Sequence, residues 1–214
     1  MIEKELMITI PEPTLKRLPT YYQYLTDKAK QGLSMISCTE IAKDLNLTSI
    51  QVRKDLQVAG AQGKPKIGYE LNELIKIISI SLGYDNLNEA FIVGIGNFGQ
   101  LLLNYNGFSE YGFKILAAFD NNPEKIGKII NNVQVLDIYK FINLARRMKI
   151  KIGIITVNGE KAQEVADMMV EAGIEAIWNL THQNLDLPKD MIVIDVNLGN
   201  SLSLLLSKLA NKYK

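Results

Sequence analysis

Three glycines at fixed spacing, Gly94-x-Gly96-x-x-Gly99, and an aspartate 21 residues beyond the last of them, Asp120, are the residues of this chain best placed to do chemistry. That chemistry is recognition of a dinucleotide. Gly94 permits a tight turn, Gly96 lets the main chain approach a pyrophosphate, and Gly99 lets a helix lie close against a strand. N–H groups at the start of the following helix then face the phosphates. Asp120 falls where a carboxylate accepts the hydroxyls of an adenosine ribose, and no arginine follows at once to receive a 2′-phosphate, which favours NAD over NADP. Taken singly, Asp120 could simply cap the turn into "NNPEKIG". Together with the glycines, the cofactor reading prevails.

Other chemistries are poorly supplied. His182 is the only histidine and Cys38 the only cysteine, so neither a zinc site nor an internal disulfide is expected. There is no G-x-S-x-G turn and no H-E-x-x-H. An NAD-dependent dehydrogenase would use the same glycine loop, but only His182 could serve as an imidazole acid or base, so a non-enzymatic role is preferred. The 24 basic and 23 acidic side chains nearly cancel, so any contact with nucleic acid must be local. No leader-like or membrane-spanning apolar run is visible, and a cytoplasmic protein without membrane partners is expected.

The elements that must hold these residues follow from the apolar pattern. "AFIV" before Gly94 reads as a buried strand and "QLLLNY" after Gly99 as a helix. Then come a strand "FKILAAFD" ending at Asp120, a helix over Ile138 to Met148, a strand over Ile152 to Val157, a helix over Glu160 to Ala172, and short strands "AIWN" and "MIVIDV". Strands alternating with helices give a Rossmann-like, doubly wound parallel sheet of the α/β class. Asn158 and His182 lie just past strands, at the carboxyl edge where such sheets bind ligands. A loop role with its imidazole bonded to backbone is preferred for His182.

Residues 1–84 carry a different pattern. Ser37-x-x-Glu40 and Thr48-x-x-Gln51 are capping-box signatures eleven residues apart, so two short helices separated by "NLT" are predicted. That is helix-turn-helix spacing, with Thr48, Ser49, Gln51, Arg53 and Lys54 near the start of the second helix. Ile41, Leu45, Ile50, Val52 and Leu56 can supply the inward apolar positions. Thr48 to Tyr69 contains Arg53, Lys54, Lys64 and Lys66 against Asp55, a local charge of 4 − 1 = +3. "GKPKIGYE" reads as a hairpin that presents Lys64 and Lys66 to phosphate or minor groove. The segment is therefore read as a winged helix-turn-helix that binds double-stranded DNA. Leu198, Leu202, Leu205 and Leu209 form a seam along a terminal helix, suited to burial against a second subunit.

This combination resembles the Rex family of bacterial redox-sensing repressors. "RLPTYYQYL" at Arg17, "QVRKDL" at Gln51, "IGY" at Ile67, "GIGNFG" at Gly94, "FDNNPEKIG" at Phe119 and "ITVNGEKAQEVADMMVEAGI" at Ile155 carry the resemblance. It implies a homodimer joined by domain-swapped C-terminal helices, with residues 1–84 binding palindromic operator DNA, 85–197 binding NAD(H) and 198–214 dimerising. It extends the cofactor set beyond the glycines and Asp120 to Asn97, Phe98, Tyr105, Asn121, Lys125, Thr156, Val157, Asn158 and Asn179. NADH binding is implied to release the DNA. The family's wing reads near "FG-x-FG-x-RG-x-GY", whereas Ala59, Gln62, Pro65 and Lys66 replace its two phenylalanines, its arginine and the next glycine here. The family's inter-subunit ion pair falls on Gln23 and Asn197, with Tyr105 as the competing tyrosine. Two neutral amides thus replace both charges, which implies a smaller energy gap between states. An NAD(H)-binding paralogue without operator regulation is the alternative.

Overall fold

The computed structural model describes residues 10–65 and 67–213. The chain divides into two compact units, Met1–Asn86 and Leu87–Lys214.

In the first unit the order is α1 (Glu12–Leu15), α2 (Leu18–Lys30), β1 (Met35–Ile36), α3 (Cys38–Asp44), α4 (Ser49–Val58), β2 (Tyr69–Glu70) and α5 (Leu71–Leu82). Both helices of the helix-turn-helix begin as their caps demand. Ser37 Oγ accepts the Glu40 N–H at 3.1 Å and Thr48 Oγ1 accepts the Gln51 N–H at 3.2 Å. Just past α3, Asn46 takes φ +55°, a left-handed turn that asparagine tolerates better than most residues. Leu18, Tyr21, Leu25, Ile41, Val52, Leu56, Leu71, Leu74 and Ile78 close one core. The wing exists as a tight hairpin: the Lys64 N–H reaches the Gly68 carbonyl at 2.7 Å and the Gly68 N–H returns to Lys64 at 2.9 Å. β2 then pairs antiparallel with β1. Lys66, assigned to the tip of the wing, lies outside the described residues.

The second unit contains β3 (Asn88–Val93), α6 (Asn97–Leu103), β4 (Phe113–Asp120), β5 (Ile129–Ile130), β6 (Val133–Asp137), α7 (Phe141–Met148), β7 (Ile152–Ile155), α8 (Ala162–Ala172), β8 (Ala176–Asn179), β9 (Ile192–Asp195) and α9 (Leu198–Lys212). The sheet order is β5-β6-β4-β3-β7-β8-β9, parallel except for the β5–β6 hairpin. Strand order reverses between β3 and β7, which places a ligand crevice at their carboxyl ends. β3 shows why the sheet is covered on both faces. Phe91 and Val93 join one buried cluster, with Phe119, Phe141 and Met169, while Ala90 and Ile92 join another, with Leu102, Ile115 and Val135. Such a strand is apolar on both sides, so it reads as an unbroken run.

α9 differs from the other helices. None of its residues is buried, and Leu198, Leu202, Leu204, Leu205, Leu206 and Leu209 are all exposed, as are Ile192 and Ile194 of β9. Among the described residues no helix is long and apolar enough to cross a membrane, and no group of three or more His, Cys, Asp or Glu side chains could hold a metal ion.

Candidate nucleotide site and helix-turn-helix surface

The glycine turn is built by crowding as well as by conformation. Gly94 has φ +96°, and a Cβ there would lie 2.6 Å from Val157 Cγ1 and 2.8 Å from the Thr156 main chain. At Gly99 a Cβ would collide with the Gly94 carbonyl oxygen. Gly96 is different: nothing in the chain lies within 4 Å of where its Cβ would stand, so its open side faces the crevice. Thr156 closes the turn from β7, its N–H bonding to the Val93 carbonyl at 2.9 Å and its hydroxyl shared between the carbonyls of Val93 and Gly94 at 3.0 and 2.5 Å.

Asp120 ends β4 and is only 6% exposed. One of its oxygens accepts the Ile95 N–H at 2.7 Å and the Lys125 ammonium at 2.9 Å; the other accepts the Asn122 N–H at 2.8 Å. Burial pushes this carboxyl up, but the Lys125 ammonium and the Asn122 and Ile95 N–H groups outweigh it and hold the acid below the usual carboxylate range. A carboxylate offers about four acceptor positions, so three are already engaged. The expectation that Asp120 alone accepts both ribose hydroxyls therefore needs Lys125, which has two N–H donors left over.

These groups share one cavity of about 310 Å³, lined by Gly94, Gly96, Asp120, Asn121, Lys125, Thr156, Val157 and Asn158 from the sequence-derived set. Val93, Ile138, Lys161, Glu164 and Val165 also line it and were not singled out from the sequence. Their signal was positional, because Val93 ends β3 and the other four follow strands whose carboxyl ends meet the crevice. A left-handed glycine turn, an open face at Gly96 and a buried acid with a lysine beside it fit the diphosphate and ribose of a dinucleotide.

Several expected contacts lie elsewhere. Asn97 is exposed, while Phe98 packs with the cluster under α6 and Gly99 is buried. His182 is exposed on its loop and does not line the cavity. Tyr105 faces a separate hollow of about 410 Å³, its ring edge-on to Phe108 at 4.9 Å and folded over Gly107, where a Cβ would be 2.5 Å from the ring. Asn179 is wholly buried. Its amide donates to the Gln183 carbonyl at 2.9 Å and to Asp195 at 2.7 Å, and accepts from the Thr181 N–H and hydroxyl at 3.0 and 2.7 Å. With its hydrogen-bonding capacity spent, it holds the 180–183 loop and the end of β9 rather than a ligand.

In the first unit, Val52, Asp55, Leu56 and Ala59 are the buried face of α4 and its C-cap, spaced i, i+3, i+4, i+7. Ile50, Arg53, Lys54 and Gln57 repeat that spacing on the exposed side, with Ser49 and Gln51 half-buried between and Thr48 exposed at the cap. Ile50 is 68% exposed, which corrects its assignment to the inward face. It precedes Val52 by two residues, about 200° around the helix. Arg53 and Gln57 look into a concavity of about 820 Å³ shared with Ser37, Thr39, Lys64 and Pro65 of the α3 start and the hairpin. At its floor Tyr69, pushed up to about 12 by burial and by Cys38, meets the Cys38 thiol at 3.8 Å.

Behind this surface Asp55 is the anchor. Arg17 grips it with two bonds of 2.7 Å, Tyr21 donates at 2.8 Å and Thr14 at 2.8 Å. Burial pushes Asp55 up, but Arg17, Tyr21 and Thr14 outweigh it and its carboxyl lies below the usual range. The one acid in the basic segment is thus neutralised from within. Gln23 is exposed on α2, and Asn197 is exposed at the N-cap of α9, where its side chain makes no capping bond.

Comparison with known proteins agrees with this division. Residues 9–57 match the family described as "Putative DNA-binding protein N-terminus", and residues 85–183 match the CoA binding domain family. The chain is 35% identical over 200 residues to the redox-sensing transcriptional repressor Rex of Bacteroides fragilis, covering 94% of this chain and 91% of that one. It is 41% identical over 188 residues to the Rex of Clostridium beijerinckii, covering 88% and 89%. It also resembles the solved structures of RSP, a Rex-family repressor. With NAD+ and operator DNA the TM-score is 0.90 at 35% identity, covering 95% of this chain and 94% of that one. With NADH it is 0.87 at 34%, covering 96% of each.

Proposed function

The chain belongs to the Rex family of redox-sensing transcriptional repressors, and from that membership we propose that it binds operator DNA through its first unit and NAD(H) through its second, NADH releasing the DNA. The observation that carries this reading is the presence, in one chain, of a basic winged helix-turn-helix and a dinucleotide cavity at a sheet's switch point. The chain is a regulator and not an enzyme. It works in the cytoplasm, where its DNA is.

Residues 1–84 are the DNA-binding domain, with Thr48, Ser49, Gln51, Arg53, Lys54, Lys64 and Lys66 as contacts. Residues 85–197 are the NAD(H) domain. In it the glycine turn receives the pyrophosphate, the Asp120–Lys125 pair divides the ribose hydroxyls, and Asn158 lies toward the nicotinamide. The nicotinamide supplies the redox state that is sensed; the protein binds and orients it. Residues 198–214 dimerise the molecule by exchange of α9, whose six exposed leucines support a partner of the same kind. With Gln23 and Asn197 in place of an ion pair, the NADH-driven release is weaker than a charged pair would give. These amides are also what favours the second reading, a nucleotide-binding paralogue that does not regulate DNA.

Fluorescence anisotropy of a palindromic Rex-type operator decides between them. Nucleotide-stripped protein is titrated alone and with saturating NAD+, NADH or coenzyme A at one salt concentration. Tight binding weakened by NADH, and not by coenzyme A, is the expected result; binding indifferent to every nucleotide would overturn the sensing role. Restoring charge with Gln23→Arg and Asn197→Asp together is expected to enlarge the NADH effect.

A further inference from the structure

Ile50 carries an inference that rests on the DNA-binding reading of the first unit and goes beyond it. Among the exposed positions of α4 it alone is apolar, and it shares one stripe with Arg53, Lys54 and Gln57. It sits one turn before Lys54 and borders a shallow depression of about 340 Å³ with Lys54, Arg17 and Thr14. Its core-facing alternative is closed, since Val52 and Leu56 fill the inward side with no exposure.

A single exposed aliphatic residue, with half-buried Val58 across the same depression and cations on either side, is too small and too charged a surface for a protein interface core, where lysine is depleted. It suits a polyanion that carries an apolar group at the depth a helix can reach. The major groove of DNA presents such a group, the 5-methyl of thymine, beside hydrogen-bonding edges that Arg53, Lys54 and Gln57 are equipped to read. Isoleucine is branched at Cβ and stiff at χ1, so its methyls are presented with little freedom to lose. It has no donor or acceptor to spend on a phosphate. We propose that Ile50 is a specificity-determining residue that reads a thymine in each operator half-site through the thymine methyl group.

The test uses the full chain and the palindromic duplex that the wild-type protein enriches from a random-sequence pool. Each thymine pair of the half-sites is replaced in turn by uracil, which deletes only the methyl group, and affinities are measured by anisotropy for wild type and Ile50→Ala. One symmetric replacement is expected to weaken the wild type by roughly three- to tenfold, a methyl contact in each half-site, while leaving Ile50→Ala unchanged. The salt dependence of Ile50→Ala is expected to match the wild type, whereas Lys54→Ala lowers the slope by about two, one phosphate contact in each half-site. If every uracil duplex affects the two proteins equally, Ile50 reads no methyl and the inference is overturned. If no duplex is enriched, or the wild type binds none at low salt, it is the DNA-binding reading beneath that fails, and the inference falls with it.

Discussion

Single residues in this protein hold more than one task, and Asp120 and Asp55 show it. Asp120 pins the glycine turn and, in the proposed complex, also serves the ribose. Asp120→Ala is expected to raise the NADH dissociation constant roughly 10- to 150-fold, the loss of a charge-assisted bond of about 1.5–3 kcal/mol, measured by calorimetry; an unchanged constant would remove Asp120 from the site. Lys125→Ala is expected to fall between that variant and wild type. Asp55 does for the helix-turn-helix what Asp120 does for the turn. Arg17→Ala leaves it buried without its cation and is expected to cost about 3 kcal/mol, the low end for breaking a buried pair because Arg17 keeps 28% of its side-chain surface in water. Both carboxyls are held below their ordinary range, so each contributes stability above the unfolded-state pKa that is lost as pH falls through the lower folded value. Thermal unfolding followed from pH 7 downward is expected to be level to about pH 5 and to fall in the acid range below about 4. Asp55→Asn would flatten that fall if Asp55 causes it.

The elements were legible in the sequence where local chemistry decides them and illegible where company does. Capping at Ser37 and Thr48, the left-handed stop of α5 at Gly83 and the apolar run of β3 all follow from nearest neighbours, and all formed. The β5–β6 hairpin was overlooked although its signal was present. Asn131 and Asn132 both take positive φ in a two-residue loop, the conformation that asparagine pairs favour between strands. Two-residue β5 is too short to show a period. The partners of Asn179 and the outward turn of Ile50 are illegible for a different reason: an amide's partners and a helix's core side depend on what packs against them, and "SIQVRKDL" holds apolar residues on both faces. The wing gives a prediction of its own. Gly60 and Gly68 both have φ above +90°, but a Cβ at Gly60 meets nothing, whereas at Gly68 it strikes the Ile36 carbonyl oxygen. Gly60→Ala is expected to cost about 1–2 kcal/mol, and Gly68→Ala distinctly more, read as melting temperature; equal losses would show that the wing does not lean on β1.

For the whole molecule, α9 is the element that cannot be understood inside one chain. Fully burying a leucine contributes about 1.5–3 kcal/mol, so covering six that are about half exposed is worth on the order of 5–10 kcal/mol per helix. Removal of residues 198–214 is expected to convert a dimer to a monomer in sedimentation and to reduce affinity for a palindrome to that for an isolated half-site. A truncated chain that still sediments as a dimer would place the interface elsewhere. The way Asp120 holds the glycine turn has a final consequence for what such a molecule measures. In the proposed complex the adenosine lies at the Asp120 end of the cavity, whose bonds are made without a ligand, and that part of the ligand is chemically the same in NAD+ and NADH. Both forms must therefore compete for one anchorage, and only the far ring can tell them apart. Wherever the pool saturates the site, a device built so reports the proportion of the two forms and is blind to the size of the pool.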